Sequence, residues 1–190
     1  MTTMPSQRLS YDLDEGMLKA IGEEFSPEKV TRQFAEALAG KGKNEIEKVA
    51  QEVFGNYGTG WMKRSLELGE KHSDATYETL KKVIAKTGVM YFPLVPQRFV
   101  EIAYLSVMSF LTLRVIQNNA DKLVYRLEQC DIYNSLKEKT STEVANLLPC
   151  RHGCFTALET LFHELDIGVK IEMEAAMAKE GYCQFAASKV

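Results

Sequence analysis

The clearest strand pattern of the chain lies in residues 169–187, which read VKIEMEAAMAKEGYCQFAA. Apolar and charged residues alternate from Val169 to Ala175, and a second alternation begins at Cys183, after Gly181. A period of two is typical of a strand with one buried face, and a glycine between two such strands supplies a turn. These residues therefore predict a C-terminal antiparallel hairpin.

Helical patterns precede this hairpin. Ser26 can cap free backbone N–H groups, Pro27 suits the first helical position, and Gly40 ends the helix. Apolar residues at helical spacing predict further helices over residues 44–69, 74–87 and 149–166. The sequence thus predicts an α+β fold in which N-terminal helices pack on a small antiparallel sheet and a C-terminal helix is followed by a β-hairpin.

Three glycines interrupt the pattern of residues 44–69. Gly55, Gly58 and Gly60 each weaken a helix by about 1 kcal/mol relative to alanine. They indicate a kink, a break or a close backbone contact, and a loop between two helices explains them equally well.

Other segments leave alternatives open. Residues 1–25 suit either a short docking helix or a partly ordered arm, and residues 89–109 suit either a buried helix or strands. Residues 110–117 and 123–132 flank turn-tolerant residues and predict another hairpin. No linker divides the chain, so we expect residues 1–190 to form one domain.

The composition narrows the class of protein. A net charge of -3 and a pI near 5.7 argue against nucleic-acid binding, and the longest apolar stretch is too polar to cross a membrane. Residues 1–10 lack the apolar core of a signal peptide. We therefore expect a cytoplasmic protein whose four cysteines are reduced thiols or metal ligands.

Two pairs of residues near the C-terminus could bind a metal. Cys150 and Cys154 lie four residues apart, so a helix would place both thiols on one face. Cys183 lies across the last hairpin from Glu174, and zinc accepts mixed sulfur and oxygen ligands. Alternatively, the thiols are buried apolar groups and Glu174 belongs to a solvated strand face.

The residues Glu174-Ala-Ala-Met177 and Gly181-Tyr-Cys-Gln-Phe185 resemble the closing motif of 4-vinyl-reductase-type, or hydrocarbon-binding, domains. The resemblance covers residues 110–190 and extends to the TRAPP-subunit-like fold. It implies a structural zinc ion held by Cys150, Cys154, Glu174 and Cys183. Met177 replaces a cysteine of the motif, so a closed site would need both helix cysteines, or else His152 or water.

The resemblance also implies a function, namely binding or sensing of a small, largely apolar molecule between the helices and the sheet. Aromatic residues that could line such a pocket, or simply fill the core, are Phe54, Tyr57, Trp61, Tyr91, Phe92 and Phe110. A thiol- or metal-dependent hydrolase similar to 2-aminothiazoline-carboxylate hydrolases is one alternative. A dimeric scaffold is another, and a homodimer is expected in any case.

Overall fold

The predicted α+β class is confirmed by the arrangement of helices and strands along the chain. The computed structural model describes residues 13–72, 75–88, 91–108 and 113–190, apart from the side chains of residues 75 and 76. Within these ranges the elements are, in chain order, α1 (Glu15–Glu24), α2 (Pro27–Leu38), α3 (Ile46–Lys71), α4 (Ala75–Thr87), α5 (Leu94–Val107), β1 (Leu113–Asn118), β2 (Lys122–Leu127), α6 (Asp131–Lys139), α7 (Thr142–Asn146), α8 (Arg151–Glu164), β3 (Val169–Ala175), α9 (Met177–Glu180) and β4 (Cys183–Lys189).

The four strands form one antiparallel sheet in the order β1-β2-β4-β3. Leu127 pairs with Cys183, and Met173 pairs with Phe185. Residues of alternating strand positions face opposite sides, so Cys183 and Phe185 face the helices whereas Gln184 faces outward. The C-terminal hairpin predicted from the alternation is therefore present.

The hairpin of β1 and β2 is shorter than the sequence predicts. Asn119 closes its turn, because its side-chain oxygen accepts hydrogen bonds from the backbone N–H groups of Asp121 and Lys122 at 3.0 and 2.8 Å. The second strand ends at Leu127 instead of residue 132. The thiol of Cys130 accepts a hydrogen bond from the N–H of Tyr133, which starts helix α6 where a strand was expected.

Helix α3 passes through its glycines without a break over 26 residues. The glycines serve close helix packing: a Cβ atom on Gly58 would collide with the carbonyl oxygen of Gly153 on α8 and with the hydroxyl of Thr156. Thr156 in turn donates hydrogen bonds to the carbonyl oxygens of Gly55 at 3.2 Å and His152 at 2.7 Å. Of the alternatives for these glycines, the structure shows the close backbone contact.

The two segments whose structure the sequence left open, residues 1–25 and 89–109, each contain a helix in their described parts. Residues 94–107 form α5, which is buried on most sides and includes the buried charged residues Arg98 and Glu101. Helix α1 packs on α5 and buries Met17 and Ile21. None of the helices in the described ranges combines the length and apolar character that crossing a bilayer requires.

The α3–α8 contact predicts that two alanine substitutions in α3 affect the free energy of unfolding differently. We expect Gly58→Ala to lower the free energy of unfolding by about 1–3 kcal/mol, because the added methyl group must force the two backbones apart. Gly55→Ala is the matched control, since its Cβ would meet only the Thr156 methyl group at 3.8 Å. It should leave stability unchanged or raise it by up to about 1 kcal/mol. Urea unfolding curves measure both, and an equal loss in the two variants would contradict this packing.

Candidate functional site

Glu174 and Cys183, two of the predicted zinc ligands, lie on opposite faces of the sheet. The carboxylate of Glu174 is on the outer face, where it accepts hydrogen bonds from Lys122 Nζ and Gln184 Nε2, both at 2.8 Å. These two donors hold the pKa of Glu174 below its usual range. Cys183 is on the inner face and 7% exposed. One metal ion cannot reach both side chains without passing through the sheet.

The predicted structural zinc is therefore wrong. Within the ranges that the structure describes, no group of three or more His, Cys, Asp and Glu side chains could hold a metal ion. Glu174 is engaged by a lysine and an amide, and His152 contacts Glu47 Oε1 at 2.9 Å through its Nε2 atom. The physical reason lies in the strand alternation, which gives Glu174 to the solvated face and Cys183 to the core.

Three of the four cysteines are buried and Cys154 is half-buried; Cys130, which was not among the predicted ligands, is one of the buried three. Burial is the main cause that raises the pKa of Cys130, Cys150, Cys154 and Cys183, to about 12 for Cys154. Interactions among the thiols contribute to these shifts for every pair of the four. We call these four cysteines the thiol cluster. The sequence analysis did not single out Cys130, because it placed this residue inside a strand predicted over residues 123–132.

The surroundings of this thiol cluster favour the protonated form. The contact with Tyr104 lowers the pKa of Cys154, but burial outweighs it and leaves that pKa raised. Tyr104 accepts a hydrogen bond from the Tyr125 hydroxyl at 3.3 Å. Both tyrosines are buried, and burial raises the pKa of each well above its usual value. A cysteine nucleophile needs an exposed thiol of lowered pKa. The cluster has the opposite character and acts as polarisable packing in the core.

The aromatic residues predicted to line a pocket are packed in several places. Phe54 lies against Phe34 with ring centroids 5.1 Å apart. Trp61 is wholly buried and donates a hydrogen bond from Nε1 to the Ala103 carbonyl oxygen at 3.1 Å. Of the remaining residues, Tyr57 is half-buried, Tyr91 is exposed and Phe92 is buried. Phe110 lies outside the described residues. Pocket lining by this set stays a prediction.

A narrow cleft lies elsewhere, where the end of α3 meets α1, α4 and α5, and its roughly 210 Å³ of empty space includes open solvent. Its walls are mainly apolar, and three polar side chains face it. The residues that line it are Leu13, Met17, Gly69, His72, Tyr77, Arg98, Phe99 and Ile102. None of the five described aromatic candidates is among them.

Close packing forms the floor of this cleft. A Cβ atom on Gly69 would lie 2.8 Å from Ile102 Cδ1 and 2.9 Å from Phe99 Cε1, so only glycine lets α3 approach α5 this closely. Tyr77 adds its ring edge to Phe99, with centroids 5.8 Å apart. The side chains of Met17, Phe99 and Ile102 are almost wholly buried, which makes the floor apolar and firm.

Each polar side chain of the cleft is positioned by a charged neighbour. Nδ1 of His72 lies 3.7 Å from Asp14 Oδ1, and Nη1 of Arg98 lies 3.4 Å from Glu101 Oε2. The Tyr77 hydroxyl donates a hydrogen bond to Glu70. Burial, followed by the contact with Glu70, raises the pKa of Tyr77, so the phenol stays protonated.

Comparison with known proteins supplies no family. No protein-family model matches the chain. No curated protein matches it.

Two solved structures are similar in part. The H-NOX domain from Shewanella oneidensis in its Fe(II)CO ligation state is 12% identical, with a TM-score of 0.39 over 77% of this chain and 72% of that chain. A mutant H-NOX protein from K. algicida in its Fe(II) unliganded state is 10% identical, with a TM-score of 0.37 over 92% of both chains. TM-scores this low assign neither a fold family nor a ligand to this chain.

The predicted membership in the 4-vinyl-reductase-type family, with its relation to the TRAPP-subunit-like fold, is wrong. No family model supports it. The resemblance depended on Glu174 and Cys183, which the sheet places on opposite faces. The short motif near the strand ends thus resembles that family in sequence, but its residues do not form the predicted zinc site.

The thiol cluster predicts slow alkylation. At pH 7 we expect all four cysteines of the native protein to react with N-ethylmaleimide more slowly than free cysteine. For Cys154, whose pKa is raised to about 12, the rate should be at least about 100-fold lower, because the thiolate fraction falls tenfold for each unit that the pKa rises. Half-buried Cys154 should react first. Mass spectrometry counts the labels, and urea-unfolded protein, the control, should take up four. A single cysteine reacting as fast as free cysteine would contradict the cluster's buried, protonated state.

Proposed function

We propose that this chain binds or senses a small, largely apolar molecule in the cleft where α3 meets α1, α4 and α5. The observation that carries the proposal is the cleft itself, with an apolar floor and three polar side chains. Ligand sites in proteins have this composition, in which apolar walls supply affinity and a few polar groups fix orientation.

The size of the cleft limits the ligand. Its roughly 210 Å³ of empty space includes open solvent, and the surrounding side chains leave no enclosed room. A small ring can therefore enter only where these side chains move apart. Burying about 150 Å² of ring surface contributes roughly 4 kcal/mol. This free energy corresponds to a dissociation constant near 1 mM, which sets the concentrations for a binding experiment.

The states of the four thiols do not support the alternative function, a thiol-dependent hydrolase. Three of the four are buried, and burial raises the pKa of all four. The single domain, the cytoplasmic location and the homodimer stay predictions, and sedimentation at several protein concentrations would test the last.

Binding of indole tests the cleft directly. We expect indole to bind the native protein with a dissociation constant of about 1 mM in a calorimetric titration, from the area it would bury. In the variant Leu13→Trp the introduced ring occupies the rim of the cleft, so indole affinity should fall at least about tenfold.

The matched control is Leu147→Trp, which places the same ring at a residue that is 54% exposed and does not line the cleft. This variant should bind indole as the native protein does. Absence of indole binding, or equal affinity in the two variants, would remove the cleft as the binding site.

A further inference from the structure

We propose that strand β3 pairs edge to edge with β3 of a second copy of this chain, so that two molecules share one antiparallel sheet about a two-fold axis. None of the residues that line the cleft belongs to this strand, so the proposal does not depend on the proposed function. It follows from the directions of the backbone groups of β3 and from the signs of its charges.

Strand β3 lies at one edge of the sheet, since it is last in the order β1-β2-β4-β3. Lys170 and Glu172 on its outer face are exposed. On its inner face Val169, Ile171 and Met173 contact the core but are only half-buried. An edge strand presents a row of backbone N–H and C=O groups with which a further strand can pair.

The register of β3 and β4 decides which backbone groups point to the open side. The N–H of Val190 donates a hydrogen bond to the Gly168 carbonyl oxygen at 3.1 Å, which continues the register of the two strands. In an antiparallel pair only every second residue bonds to a given neighbour. The even-numbered residues of β3 therefore bond to β4 as Gly168 does. The residues whose backbone groups point to the open side are Val169, Ile171 and Met173.

The charges of the outer face select one register for two copies of β3. When Ile171 lies opposite the partner's Ile171, Lys170 of each copy lies opposite Glu172 of the other. A shift by two residues keeps the backbone groups in phase but places Glu172 opposite Glu172 or Lys170 opposite Lys170. Like charges directly opposite each other are destabilising. The backbone and the charges together thus favour a single, symmetric register.

The side chains of β3 need little rearrangement to form this interface. Within one chain Lys170 Nζ lies 2.9 Å from Glu172 Oε1, and the two side chains are 66% and 49% exposed. They can exchange partners across the two-fold axis. On the inner face the same register places Val169 opposite the partner's Met173, which extends the half-buried apolar row. A symmetric pair of identical surfaces is the commonest form of assembly.

The other edge strand is less suited to pairing. Strand β1 has a bulge between Val115 and Gln117, and bulges are one means by which edge strands avoid pairing. Charged side chains on an edge are another such means. In β3, however, the charges have opposite signs at alternate positions of a strand that is regular from Val169 to Met173, so they match a second copy.

Sedimentation equilibrium of charge variants tests this surface. We expect the native protein to form a dimer whose fraction rises with protein concentration. Lys170→Glu places carboxylates opposite each other on both sides of the axis, so the dissociation constant of the dimer should rise at least about tenfold. The double variant Lys170→Glu with Glu172→Lys exchanges the two signs and should restore dimerisation.

The matched control is Lys41→Glu, which makes the same change of net charge at an exposed residue between α2 and α3. This variant should dimerise as the native protein does. All of these substitutions are at exposed positions, so the variants should fold.

Amide hydrogen exchange tests the pairing of the strands themselves. In the dimer the N–H groups of Val169, Ile171 and Met173 bond to the second copy, so their exchange should slow as the protein concentration rises. The N–H groups of Lys170 and Glu172 bond to β4 in either state and should change much less.

Three results would overturn the proposal. The first is a protein that stays monomeric at every concentration. The second is a dimer that Lys170→Glu leaves intact, and the third is an equal effect of concentration on neighbouring amides of β3. The last two would place the interface between the copies on another surface.

Discussion

The backbone contact between α3 and α8 at Gly58 is the constraint on which the rest of the structure depends. It holds the middle of a 26-residue helix against the start of the helix that carries Cys150 and Cys154. With that contact fixed, the far end of α3 reaches α5, where Gly69 permits another close approach. The cleft is thus at the far end of α3, whereas Cys150 and Cys154 belong to the helix that the middle of α3 contacts.

Local patterns predicted much of this fold from the sequence. The strand alternation gave the C-terminal hairpin, and Ser26 and Pro27 gave the start of α2. The same alternation already assigned Glu174 to a polar face and Cys183 to an apolar one, so the zinc proposal conflicted with the pattern that predicted the hairpin. The family resemblance outweighed that physical argument and led to the error.

The cleft could not be predicted, because its lining comes from four helices whose mutual packing no local pattern encodes. Helix α5 was ambiguous because it is buried on most sides, and its charged residues Arg98 and Glu101 are buried together. Burial of a charged pair removes the periodic contrast between polar and apolar faces. His72 resembled an ordinary surface residue until the fold placed Asp14 beside it.

Methyl NMR spectra during a titration with indole test the central claim most directly, since they locate the ligand within the fold. The account predicts that the methyl signals of Met17 and Ile102, which line the cleft, shift first and furthest. Buried Met62 on α3 and half-buried Met173 on β3 should change little. Larger shifts at Met62 or Met173 than at Met17 and Ile102 would place the ligand in the core or at the sheet and contradict the account.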